Sequence, residues 1–326
     1  MKMIPKAVNT LLACLLLACS GAANAQSAFP SRQVRIILPF PAGGPTDVIA
    51  RVVAENITPV WKQPVIVENR VGASGATGVD YVAKSPPDGH TIVFTAFSPL
   101  TVNVALFGNL PYDPRADLAP ITLVSYVPQL VVVPAALPVA DMQALIEHIR
   151  ARPGKLFFGS PGNGTLNHLH GEQFKRAYGL DSQHVPYKGN PQLMAGMRAG
   201  DVQYMFDNLS SALPQVKAGV LKALAVTGTA RWPALPELPT LTESGIPGFE
   251  GMAWFAFVAP AKTPREIVAR LHHDITAVLA RADVKSRIEG YGMIMATSTP
   301  EQLARLIDAD IERLGALVRQ VGAKVD

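Results

Sequence analysis

Val34-Arg35-Ile36-Ile37-Leu38-Pro39-Phe40-Pro41-Ala42-Gly43-Gly44-Pro45-Thr46-Asp47 reads as a strand that passes through a glycine-rich bend into a helix. Residues 34–38 are a β-branched run closed by Pro39. From 46 to 61, Val48, Ile49, Val52, Val53, Ile57 and Val60 recur at helical spacing and mark one apolar face. Between the two elements, Gly43 and Gly44 let the backbone approach a ligand with no Cβ in the way. The helix opens near Thr46 and Asp47, where the first amides have no internal partner. Those amides and the helix dipole together make an anion site. The same residues also fit an ordinary tight turn between a strand and a helix.

Working outward, the plan recurs once. Gly159-Ser160-Pro161-Gly162-Asn163-Gly164-Thr165 follows an expected strand and precedes the helix that carries His168. Ligands of open α/β sheets bind at the carboxyl ends of strands, so two such bends, one per lobe, would face a shared cleft. Neither bend ends in Gly-Lys-Ser/Thr or has G-x-G-x-x-G spacing, which excludes the common nucleotide motifs and implies no cofactor. Neither contains Lys or Arg. A doubly charged phosphate usually recruits cations, whereas a carboxylate is satisfied by amides and hydroxyls. A third element, Tyr204-Met205-Phe206-Asp207-Asn208, places Asp207 where a strand hands over to a loop. There the acid is positioned for a ligand amine or an ordered water, and equally for capping a helix, with Asn208 as a competing cap.

Around these bends strands and helices alternate. Strands are expected at 65–68, 91–95, 121–124, 130–133, 156–159, 184–185, 202–206, 223–226 and 253–259. Helices are expected at 141–151, 165–178, 191–199, 212–218, 264–280, 283–291 and 300–321. Thr299-Pro300 supplies an N-cap and an N1 proline. The pattern predicts an α/β fold with open, mostly parallel sheets covered by helices. Two sheets of about five strands fit this length better than one sheet of ten. Pro-rich stretches near 126–138 and 227–250 are the expected crossings. One lobe is then 26–125 with 250–326, and the other is 126–249.

The chain has 326 residues, enough for two domains. Hydrophobic residues are 48% and charged residues 17%, which excludes a disordered chain and a coiled coil. A net charge of +4 with no basic block argues against nucleic-acid binding. Residues 1–25 read as a signal peptide: Lys2 and Lys6, an apolar run at 11–18, then Ala23-Asn24-Ala25 before Gln26. The apolar run is short of the roughly 20 residues that span a bilayer. Cleavage after Ala25 would place the mature protein in the periplasm. An alternative processing is lipid attachment at Cys19 within Leu16-Leu17-Ala18-Cys19. Cys14 and Cys19 are the only cysteines, so removal of the whole leader leaves no disulfide and no thiol chemistry.

No catalytic constellation emerges. There is no G-x-S-x-G elbow, so a hydrolase built on Ser160 or Ser98 with His168 is disfavoured. His168-Leu169-His170 and His272-His273 lack the spacing of a helical metal pair. The expectation is a protein that is neither an enzyme nor a metalloprotein.

With these residues in view, the chain resembles the substrate-binding proteins of tripartite tricarboxylate transporters, the Bug receptor family. The matching stretches run from end to end. They include Pro39-Phe40-Pro41-Ala42-Gly43-Gly44-Pro45-Thr46-Asp47, Val67-Glu68-Asn69-Arg70, Leu110-Pro111-Tyr112-Asp113 and Gly162-Asn163-Gly164-Thr165 with His168. Others are His184-Val185-Pro186-Tyr187-Lys188-Gly189, Met205-Phe206-Asp207, Glu243-Ser244-Gly245 and Pro247-Gly248-Phe249. Two departures are the early Pro191 after Gly189 and Ala256 after Trp254-Phe255. The resemblance implies a periplasmic binding protein-like, type II fold that closes on a small carboxylate. It implies ligand contacts from Gly43, Gly44, Thr46 and Asp47 in one lobe, and from Ser160, Gly164, Thr165, His168 and Asp207 in the other. It further implies a monomer that delivers its ligand to the membrane subunits of a tripartite transporter. A sensing module that signals to a sensor kinase is the alternative, since both roles need lobe closure.

Overall fold

The computed structural model describes residues 29–233, 235–249 and 251–323. The expected signal peptide, its cleavage point and Cys19 lie outside the described residues. The first run of elements is β1 (Val34–Leu38), α1 (Pro45–Trp61), β2 (Val65–Asn69), α2 (Ala76–Ala83), β3 (Thr91–Ala96), α3 (Phe97–Leu100), α4 (Val102–Leu106) and β4 (Leu118–Val127). The second is β5 (Gln129–Pro134), α5 (Met142–Arg150), β6 (Leu156–Ser160), α6 (Leu166–Tyr178), β7 (Ser182–Pro186), α7 (Asn190–Ala199), β8 (Met205–Asn208), α8 (Leu209–Lys217) and β9 (Leu221–Val226). The chain closes with β10 (Ala253–Pro260), α9 (Arg265–Leu279), α10 (Ala282–Glu289), β11 (Ile294–Met295) and α11 (Pro300–Val321).

One sheet has the order β11-β4-β10-β3-β1-β2. Strands β1, β2 and β3 pair in parallel, while β10 is antiparallel to both β3 and β4. In the second region β8-β5-β9 form a sheet in which β5 is antiparallel to both neighbours, and β6 pairs in parallel with β7. A parallel bridge between Phe158 and Tyr204 joins these two pieces into the continuous order β7-β6-β8-β5-β9. Each sheet therefore repeats one design. Four strands run one way, and the strand next to the last of them, β10 or β5, is reversed; the first sheet adds β11, also reversed, at the outer edge of β4. The mostly parallel direction expected from the alternating pattern holds. The reversed strand makes several of the actual pairings antiparallel.

The reversed strands are also the ones on which the chain changes sheets. Only Pro128 separates β4 from β5, so that crossing is a single sharp step. The return from β9 to β10 is long and carries the proline-rich segment. All eight residues of β10 are buried, as an inner strand covered on both faces requires. Two indoles tie elements together: Trp61 Nε1 of α1 donates to Asp274 of α9 at 2.7 Å, and Trp254 Nε1 of β10 donates to Asp310 of α11 at 2.7 Å. The two regions also touch each other. Leu166 and Leu169 of α6 belong to the apolar cluster of the first sheet, which also includes Leu106 of α4 and Leu314 of α11.

Candidate functional site

Both glycine-rich bends lie where a strand's carboxyl end turns into a helix. After β1 the chain turns at Ala42 and Gly43. Gly43 takes φ +84°, a left-handed conformation that suits glycine. Gly44 is the N-cap of α1 with φ −81° and no side chain of its own to cap with. Pro45 fills the first helical position, where a missing N–H costs nothing. Thr46 and Asp47 follow in the first turn, both buried.

Asp47 organises this bend. Its carboxylate accepts from Gly43 N–H at 3.2 Å, from the Arg51 guanidinium through two bonds of 2.9 Å, and from Asn69 Nδ2 at 3.1 Å. Asn69 also donates to the Phe40 carbonyl at 2.9 Å, so the end of β2 braces the loop after β1. The Arg51 bonds foremost, with the Gly43 amide and Asn69, hold the Asp47 carboxyl below the usual carboxylate range. The acid is thus ionised and fully partnered. It fixes the bend that carries Gly43 and Gly44.

The second bend is held more densely. Thr165 caps α6: its Oγ1 accepts from His168 N–H at 3.4 Å and donates to the Gly162 carbonyl at 2.8 Å. Ser160 Oγ donates to the Gly162 carbonyl at 3.0 Å and accepts from the Gly162 amide at 3.3 Å. Gly164 N–H donates to His168 Nδ1 at 3.2 Å, which makes Nδ1 the unprotonated nitrogen of that ring. The segment after β7 is laced on as well, with Tyr187 N–H on the Ser160 carbonyl at 2.9 Å and Gly189 N–H on the Pro161 carbonyl at 3.1 Å. Burial, with a lesser contribution from Lys175, pushes His168 down to about 4, so its imidazole is neutral near neutral pH.

Asp207 ends β8 and is 1% exposed. It accepts from Asn167 Nδ2 at 3.3 Å and from Ser211 Oγ. Burial pushes its carboxyl up to about 6 against these bonds. Asn208, not Asp207, occupies the N-cap position of α8.

The expected residues thus fall into three groups. Gly43, Gly44, Thr46 and Asp47 share the first bend. Ser160, Gly164, Thr165 and His168 share the second. Asp207 sits in a polar nest with Asn167 and Ser211. Between the two sheet regions, the recorded contact at the second bend is with α4: a Cβ on Gly164 would lie 2.2 Å from Leu106 Cδ2. Sequence reasoning missed Arg51, Asn69, Asn167, His184 and Ser211. Of these, Asn69 and His184 lie in stretches already quoted. Arg51 carried a signal in its i, i+4 spacing from Asp47. Among the described residues no group of three His, Cys, Asp or Glu is placed to hold a metal ion. Among them, too, no helix is long and apolar enough to cross a membrane.

A pair of sheets with matching reversed strands, linked by two crossings and bearing bends of the same plan, defines a two-lobed solute-binding protein of the type II periplasmic kind. The comparisons agree and go further. Residues 49–323 match the family described as tripartite tricarboxylate transporter family receptor, and the chain belongs to that family. Protein BugT of Bordetella pertussis is 35% identical over 314 residues, covering 95% of this chain and 96% of BugT. An R. palustris protein solved with adipate is 34% identical, superposes with a TM-score of 0.85, and covers 91% of this chain and 100% of that one. MatC from Rhodopseudomonas palustris, solved with bound malate, is 31% identical with a TM-score of 0.80, covering 89% of this chain and 100% of MatC.

Proposed function

We propose that this chain is an exported periplasmic receptor that captures a small carboxylate between two lobes and delivers it to the membrane subunits of a tripartite transporter. It acts by binding rather than by catalysis. The lobes are 26–125 with 250–326, and 126–249. The observation that carries the reading is the pair of strand-to-helix bends, each rich in glycine, each opening a helix of more than two turns, and neither containing Lys or Arg. Gly43, Gly44 and Thr46 form the ligand-facing side of the first bend, with Asp47 holding that bend in shape through the Gly43 amide. Ser160, Gly164, Thr165 and His168 shape the second bend through their own hydrogen bonds, with Asp207 behind them. The adipate-bound and malate-bound relatives support a dicarboxylate.

The energetics are sufficient. A hydrogen bond to a charged group contributes roughly 1.5–3 kcal/mol, so four or five approach the ~8 kcal/mol of a micromolar complex. Ordering the two lobes reduces that sum. The test is a thermal-shift panel of mono-, di- and tricarboxylates on the mature protein, with mass spectrometry of any acid released on denaturation. At least one acid should raise the melting temperature. Flat curves across the panel, with no co-purified acid, would overturn the reading.

A further inference from the structure

His184 lies outside the residues assigned above, yet its ring is the centre of a three-layer stack. It is on β7 opposite Phe158 of β6. On one side Phe158 stacks on it at 4.8 Å between centroids and 28° between planes. On the other side His168 stacks at 4.1 Å and 16°. The stack runs from the sheet to the first turn of α6, and both imidazoles touch the second bend through their edges. His184 Nε2 is 2.7 Å from Ser160 Oγ, while His168 Nδ1 receives Gly164 N–H. Ser160 Oγ in turn bonds both the amide and the carbonyl of Gly162. Gly162 takes φ +150°, one of many conformations open to glycine, and the Ser160 bonds, with Thr165 Oγ1 on the same carbonyl, select it. A neutral His184 that donates from Nε2 completes the set: Ser160 accepts from the ring and from Gly162 N–H, and donates to the Gly162 carbonyl. The charged groups around the stack are Lys175 of α6, 5.5 Å from the Phe158 centroid, and Glu172, which pairs with Lys175 at 3.0 Å. Tyr204 stacks on Phe158 and is held by Ser182.

We infer that His184 is a positioning residue for ligand capture: through Ser160 it locks Gly162, and so the course of the second bend, in the conformation that meets the ligand. This rests on the proposed role of that bend. Three variants separate positioning from mere packing. His184→Phe keeps a flat ring between Phe158 and His168 but removes the nitrogen. His184→Gln returns a side-chain amide near Nε2. Ser160→Ala removes the same bond from the other end and serves if His184→Phe does not fold.

The readouts are amide hydrogen exchange at Gly162 and Gly164 in ligand-free protein, and the affinity for adipate and for malate. His184→Phe should exchange about tenfold faster at Gly162 and bind about tenfold more weakly, the equivalent of one lost hydrogen bond. His184→Gln should stay within about threefold of the parent in both. Combining His184→Phe with Ser160→Ala should cost no more than Ser160→Ala alone, because the hydroxyl through which His184 acts is already gone. Unchanged exchange and affinity in His184→Phe would overturn the inference, as would an equal loss in His184→Gln. The exchange arm needs no ligand. If the parent protein binds neither acid, the affinity arm uses the acid that the panel identifies; if no acid of the panel binds, the carboxylate reading fails, and exchange at Gly162 still decides the role of His184.

Discussion

Gly43 and Gly44 are neighbours in one bend, but a side chain would meet different obstacles at each. At Gly44 the backbone is at φ −81°, and the nearest atom to an added Cβ is the Pro41 carbonyl oxygen at 3.8 Å. Gly44→Val should therefore fold, at a cost of under about 1 kcal/mol for the poorer N-cap, while its methyls occupy the space a ligand would take. The expected outcome in scanning fluorimetry is a nearly unchanged melting temperature and loss of the carboxylate-induced shift. Gly43→Val is strained by its φ of +84° whatever the space, so it tests folding rather than binding. His168 makes the second residue-scale prediction. Its Nδ1 accepts from Gly164 only while unprotonated, and its ring titrates at about 4. Titration calorimetry should show binding that holds down to about pH 5 and declines as pH approaches 4. His168→Asn keeps an acceptor that does not titrate. Its acid limb should report only the protonation of the ligand, and superimposable profiles for the two proteins would count against this role for His168.

At the scale of elements, the caps decide how firmly the bends are held. Thr165 is both N-cap of α6 and a tie on Gly162. Thr165→Ala should lower unfolding stability by about 1 kcal/mol in denaturant titration, and should also weaken carboxylate binding, because the same hydroxyl serves both ends. A stability loss with unaltered binding would separate the cap from the site. Much of this level was legible in the sequence. The apolar stripe of α1, except Val60, which is exposed near the helix end, the Asp141 cap of α5 and the Thr299–Pro300 start of α11 appear as expected, and α11 carries a full capping box with Gln302. The misses have physical causes. Helices α3 and α4 are four and five residues long, too short for any periodicity to declare itself. Strand β4 runs well past the expected 121–124 because β10 and β11 pair along both of its edges. Residues 202–204 join the sheet mainly through one bridge at Tyr204, and β8 itself begins at Met205.

For the whole molecule, the buried titratable groups set an acid limit. His168, His170 and His184 titrate in the folded protein at about 4, 3 and 3, chiefly through burial. An unfolded histidine titrates near 6.5. Below that value the unfolded chain binds more protons, so the stability these rings contribute is complete above about pH 6.5 and is lost as pH falls toward 4. Asp207, raised to about 6, works in the opposite sense and over the same range offsets about one of these histidines. With three histidines against one acid, the melting temperature should fall between pH 6.5 and 4. The decline should be shallower in His170→Gln, whose ring is buried deepest and lies away from both bends. A flat profile would mean that these rings are accessible in solution.

The linear chain by itself determined the alternation of strands and helices, the two glycine-rich bends, the paucity of charge within them and the family resemblance. All of these are local or ordered along the backbone, and each follows from spacing, turn chemistry or residue type. Only the tertiary structure decided that β5 and β10 run against their neighbours, that Asp47 is spent on Arg51 and Asn69, and that His184 stands between Phe158 and His168. Those facts depend on which distant segments meet. A carboxylate or an imidazole reads the same in sequence whether it faces a ligand or a neighbouring side chain, and packing alone settles which groups remain to satisfy it.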